Sequence, residues 1–131
     1  MNNHFESFVI VVPNIPESLE SGQEMKESAK NASLDDVQIF FGFHPTKPDP
    51  YKHPLEVFEK ENLNPENFLS NKFSRIPNAM CCFLSHFTLW KKCIEKNKPL
   101  FIFEHDARFI RDFDDRIIDK TTHCCTFGKP S

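Results

Sequence analysis

Apolar and polar positions along the chain fall into short blocks separated by turn-forming residues. Phe5 to Val12 (FESFVIVV) is a β-branched, mostly apolar run that stops at Pro13, and it reads as a buried strand. Pro16 to Ser33 carries helix formers with a thin apolar stripe at Leu19, Met25 and Ala29. Pro16 suits a first helical turn, while Gly22 weakens the interior. Val37 to Phe43 (VQIFFGF) reads as a second strand, so the opening is strand, helix, strand. That order favours a parallel sheet with a right-handed crossover.

The four prolines from Pro45 to Pro54 predict a loop, because proline removes backbone donors and breaks both helix and central strand. Leu55 to Glu61 has the length of one or two helical turns, and Asn62 to Ser74 is polar without a period. Asn78 to Asn97 carries the strongest helical pattern. Met80, Phe83, Leu84, Phe87, Trp90 and Ile94 recur three and four residues apart, which predicts one apolar face. On that stripe Phe87 and Trp90 read as core. Pro99 ends the helix, and Leu100 to Phe103 (LFIF) reads as a fully buried strand. Glu104, His105 and Asp106 follow at its carboxyl end. Ile117, Ile118 and the run HCCTF suggest one more short helix and strand.

Composition narrows the function classes. A chain of 131 residues is read as a single domain, 1–131, long enough to bury its own core. Sixteen basic against nineteen acidic residues leave no basic field of the kind that holds nucleic acid. No apolar run reaches the ~20 residues of a membrane span, and Met1 to His4 lacks the basic start of a signal peptide. The expectation is a soluble, cytoplasmic protein. Three glycines exclude a P-loop and a dinucleotide fingerprint. Phe supplies fifteen of the aromatic residues against one Tyr and one Trp, which suggests a core rich in rings that need no hydrogen-bond partner. The five cysteines are odd in number and contain no Cys-x-x-Cys unit, so they are expected to be reduced and buried as small hydrophobes. Cys82 and His86, four apart, could share a helix face, as could His86 and Cys93, but two or three ligands do not close a zinc site.

The chemistry-bearing candidate is the acidic turn. In an open parallel sheet the ligand crevice lies outside the carboxyl ends of the strands. Glu104 and Asp106 fall there, with an imidazole between them, and carboxylate oxygens suit a hard divalent ion such as Mg²⁺ or Mn²⁺. The bland alternative is a solvated strand-to-loop turn. His105-Asp106 as a phosphohydrolase dyad lacks further ligands on helices, and a Cys82-His86 hydrolase lacks a third residue to orient the base.

A longer constellation surrounds this turn. The stretch CCFLSHFTLWKKCIEKNKPLFIFEHDARF resembles the central signature of glycosyltransferase family 25, the lipopolysaccharide-type sugar transferases. Cys82, Ser85, His86, Leu89, Trp90, Pro99, Glu104, Asp106 and Phe109 match it in order and spacing. The resemblance implies an α/β fold of the GT-A type, with a mainly parallel sheet and a UDP-sugar donor. It implies transfer of the sugar to a glycan or other hydroxyl acceptor, and Glu104 and Asp106 as the catalytic, metal-holding motif. Val11, Val12, Ser85, His86 and His105 would then line the donor pocket. Three positions depart from the family pattern. His105 stands where the family has an Asp, which lowers the expected affinity for a hard cation. Cys81 replaces a Gly, and no Arg-rich loop follows the first strand. The family domain is commonly longer, so the chain is expected to be its amino-terminal, donor-binding part, with the acceptor side in a missing carboxyl-terminal part. The competing expectation is a non-catalytic, degenerate nucleotide-sugar-binding remnant of the same fold.

Overall fold

The computed structural model describes residues 4–70, 76–114 and 116–120. Three strands, β1 (Glu6–Val11), β2 (Val37–Phe41) and β3 (Leu100–Glu104), form a sheet in the order β2-β1-β3. Both pairings are parallel, with Val9 opposite Ile39 on one side and Phe103 on the other. This is the α/β, parallel arrangement expected from the strand-helix-strand opening. Five helices complete the described elements: α1 (Pro16–Asn31), α2 (Lys52–Lys60), α3 (Glu66–Leu69), α4 (Ile76–Lys96) and α5 (Ile117–Lys120). HCCTF lies outside the described residues.

Alternation along the strands divides the sheet into two faces. Val9, Val37, Ile39 and Phe103 face α1 and pack on Met25 and Ala29. Phe8 and Ile10 face α4, where the Lys92 ammonium lies 5.0 Å from the Phe8 ring centre. α2 and α3 pack on α4, and Phe58, Met80 and Leu84 make a second core there. α4 ends at Lys96, the following Asn97 has the left-handed φ of 51° that terminates helices, and Pro99 prevents resumption.

Four sequence expectations change. LFIF is half-buried, because β3 pairs with β1 alone among the described strands. The Phe-rich segment after β3 turns back across the α1 face, and Phe5, Phe109 and Phe113 cover Phe101 and Phe103 edge-on or tilted. The buried row of α4 is Met80, Cys81, Leu84, Ser85 and Leu89, while Trp90 and Ile94 are exposed because the last turns of the helix outrun the core. Leu19 is also exposed. Gly22 takes its place in the buried row of α1, and it sits so close to β1 that a Cβ there would lie 2.5 Å from Val11 Cγ2. Finally, the cysteines are not uniformly buried. Cys81, Cys82 and Cys93 are all free thiols, but Cys82 is exposed and Cys93 half-exposed.

Candidate functional site

The site forms where β1 and β3 end, between the amino-terminal turns of α1 and the middle of α4. The exit of β3 is pinned to α1 by a row of serines. Ser18, nearly fully buried, accepts a hydrogen bond from the Val12 N–H (2.8 Å) and pairs with His105 Nδ1. One turn on, Ser21 Oγ donates to the His105 carbonyl (2.9 Å), and Ser28 Oγ accepts from the Phe109 N–H (2.8 Å). Arg108 completes the clamp, with an ion pair to Glu24 at 2.8 Å and a hydrogen bond to the His105 carbonyl.

Alternation sends Glu104 to the opposite face from His105. Glu104 sits level with Ile10 in the β1–β3 register and meets α4. There its Oε1 lies 3.8 Å from His86 Nε2. Cys82, one helical turn before His86, completes a cluster whose thiol, imidazole and carboxylate ligand atoms all lie within 4.8 Å of one another. Cys82 and then Glu104 stabilise the imidazolium and push His86 up to about 9, against a smaller opposing effect of burial. The same contact lowers Glu104, so the carboxylate stays ionised. Its neighbour Cys81 differs sharply, since burial pushes that thiol up to about 11.

Of the residues singled out in the sequence, the structure brings Glu104 and His86 together. Asp106 is exposed in the turn and lies outside the three-residue cluster. Ser85 is buried between α4 and the end of β2, accepting from the Phe43 N–H (2.9 Å) and donating to the Cys81 carbonyl (2.8 Å). Its hydroxyl is thus a strut that holds α4 to the loop after β2. The Val11 side chain is fully buried beneath Gly22 of α1, and its carbonyl accepts from Gly42 N–H at 2.9 Å. Val12 offers its amide to Ser18. His105 faces α1 and not Glu104. Sequence reasoning missed Ser18, Ser21 and Arg108, because serines on a helix read as solvent-facing. The three-residue spacing of Ser18 and Ser21 on α1 was the available signal.

Two surface concavities, of about 540 and 410 Å³, lie elsewhere. One is lined by Glu24, Ser28 and Phe109 among others, the second by Leu55, Phe58 and Leu63, and neither includes Glu104 or His86. At the strand ends the Glu104 side chain is exposed and that of His86 half-buried. No helix among the described residues is long and apolar enough to cross a membrane.

Comparison with known proteins identifies a family. The model of a family described as glycosyltransferase family 25 (LPS biosynthesis protein) matches residues 17–125. No curated protein and no solved structure matches the chain.

Proposed function

The chain belongs to glycosyltransferase family 25, and from that premise we propose that it binds a UDP-sugar at the carboxyl ends of β1 and β3 and transfers the sugar to a hydroxyl of a glycan acceptor. The observation that carries the reading is the position of Glu104, the last residue of β3, where open parallel sheets bind ligands. Single-domain organisation of the GT-A type, with the donor half in residues 1–131, belongs to the same proposal.

Breaking the bond between the anomeric carbon and the diphosphate leaves negative charge on UDP. Catalysis then needs fixed positive charge at the phosphate oxygens. Within this chain the imidazolium of His86 lies beside Glu104. Glu104 and Asp106 would hold a divalent ion of the Mg²⁺ or Mn²⁺ class. The donor set fits that class, with one carboxylate kept ionised and the other solvent-exposed, both offering hard oxygens. Such an ion, when bound, supplies charge neutralisation at the leaving diphosphate. The serine clamp on α1 fixes the backbone of the turn that carries both carboxylates.

Calorimetric titration of UDP, with and without Mn²⁺, tests the reading. Mn²⁺ should tighten binding at least tenfold, and Asp106→Asn should remove that gain while leaving the far-ultraviolet circular dichroism unchanged. Tight UDP binding that ignores both Mn²⁺ and Asp106→Asn would refute it. Metal-dependent binding without transfer to any hydroxyl acceptor would identify the nucleotide-sugar-binding remnant instead.

A further inference from the structure

We propose that Cys82, His86 and Glu104 form a three-ligand site for a borderline transition-metal ion of the Zn²⁺ class, distinct in chemistry from the all-oxygen pair Glu104–Asp106. Thiolate, imidazole and carboxylate are the zinc donor types, and three protein ligands with an open fourth position is the arrangement of accessible zinc sites. Cys82 and His86 are four residues apart on α4, so one helix face presents both, and β3 delivers Glu104 from the sheet.

The distances suit an ion. Bonds of ~2.0–2.3 Å in tetrahedral geometry put ligand atoms roughly 3.3–3.7 Å apart. The three ligand atoms already lie within 4.8 Å of one another, and His86 Nε2 is 3.8 Å from Glu104 Oε1. Closing to coordination distance needs a shift on the order of 1 Å, within rotamer freedom for exposed Cys82 and Glu104. In the free chain the His86 imidazole lies within reach of both the Cys82 thiol and the Glu104 carboxylate. An arriving ion would displace the imidazolium proton and the Cys82 thiol proton. The alternative thiol is excluded by the fold, because Cys81 is buried in the core. Cys82 is exposed, so an ion reaches the site from solvent.

The proposal stands independently of sugar transfer, and the test keeps the two apart. The reduced, metal-stripped chain is titrated with Co²⁺ as the spectroscopic probe. One equivalent should give tetrahedral visible bands and a near-ultraviolet thiolate-to-cobalt charge-transfer band, both bleached by stoichiometric Zn²⁺. Cys82→Ser should abolish the charge-transfer band, and His86→Gln or Glu104→Gln should each weaken Zn²⁺ binding at least tenfold, with circular dichroism confirming folding. No charge-transfer band in the native chain, or a band that persists in Cys82→Ser, overturns the site. Asp106→Asn separates the readings. Loss of Mn²⁺-dependent UDP binding in that variant, with no cobalt band in the native chain, refutes the zinc-class site and leaves the transferase reading standing. A Cys82-dependent band in a chain that binds no UDP does the reverse.

Discussion

Gly22 couples the helix above the sheet to the strand that ends at the site, and replacing it measures that coupling. In an isolated helix Gly→Ala stabilises by ~1 kcal/mol, because alanine loses less backbone entropy. Here the new Cβ would sit 2.5 Å from Val11 Cγ2, and Val11 is fully buried. Carbon atoms pack at ~3.5–4.0 Å, so α1 must lift by about 1 Å or Val11 must leave its rotamer. Overpacking of that kind costs about 1–3 kcal/mol. The net expectation for Gly22→Ala is a loss of up to about 2 kcal/mol, or up to roughly 10 °C in Tm for a domain of this size. Adding Val11→Ala removes the clashing methyl and releases the helical gain. The double variant should therefore be at least as stable as Val11→Ala alone, with a coupling energy of about 1 kcal/mol or more in a double-mutant cycle. Thermal unfolding followed by circular dichroism supplies all four values. If Gly22→Ala raises Tm equally in both backgrounds, α1 does not touch β1 at this point and the packing argument is wrong.

Two further outcomes follow from the electrostatics of α4. His86 is raised from its ordinary value of 6.5 to about 9, by Cys82 first and Glu104 second. A raised folded-state pKa gives stability that is full below 6.5 and is lost as pH climbs through 9. A shift of that size corresponds to at most ~3 kcal/mol. With Glu104 61% exposed and 3.8 Å away, solvent screening reduces it to about 1 kcal/mol. Urea unfolding in EDTA should show this loss between pH 6.5 and 9 in the native chain and not in His86→Gln; identical profiles would sink the assignment. Of the two adjacent thiols, Cys82 should react with iodoacetamide in the folded protein and Cys81 only on unfolding, since burial pushes Cys81 up to about 11. Equal rates, read by mass spectrometry of the peptides, would contradict the burial difference.

The strands were legible because β-branched runs with turn residues at both ends have few other solutions, as FVIVV and LFIF show. What an apolar run does not encode is its number of neighbours. LFIF has the composition of a central strand, yet β3 pairs on one side among the described strands and is covered instead by Phe rings from the segment after it. The period of α4 was visible, but its buried row is rotated toward Cys81, Ser85 and Leu89. A serine and a cysteine look weakly polar in sequence and become core when their hydroxyl or thiol is satisfied within the helix or pushed neutral. Gly22 read as a liability for the helix and proves to sit where a Cβ would lie 2.5 Å from Val11 Cγ2. At the site, Glu104 was found because strand ends are informative. Its juxtaposition with His86 depends on strand register and on the packing of α4, which no local pattern carries.

His105 illustrates how far the direction of a side chain governs a motif. From the sequence, histidine in place of the family's aspartate reads as a lost metal ligand, so His105→Asp would be expected to strengthen divalent binding. The structure changes that expectation. Residue 104 closes β3 facing α4, and residue 105 turns to the other side, where its ring pairs with the nearly buried Ser18 of α1. A carboxylate substituted there would accept from the Ser18 hydroxyl, about a turn from the amino-terminal end of α1, where negative charge is favoured. It would remain across the sheet edge from Glu104 and could not join His86 and Cys82. We therefore expect His105→Asp to alter Mn²⁺ or Co²⁺ affinity by less than about threefold, while Asp106→Asn and Cys82→Ser change the oxygen-held and thiolate-held ions respectively. Stability should move by no more than about 1 kcal/mol, since one hydrogen bond to Ser18 replaces another. Calorimetric metal titration of the three variants decides the matter. A gain of tenfold or more in His105→Asp would mean that position 105 reaches the ion, and that the side-chain direction described here is not the one the protein uses when it binds metal.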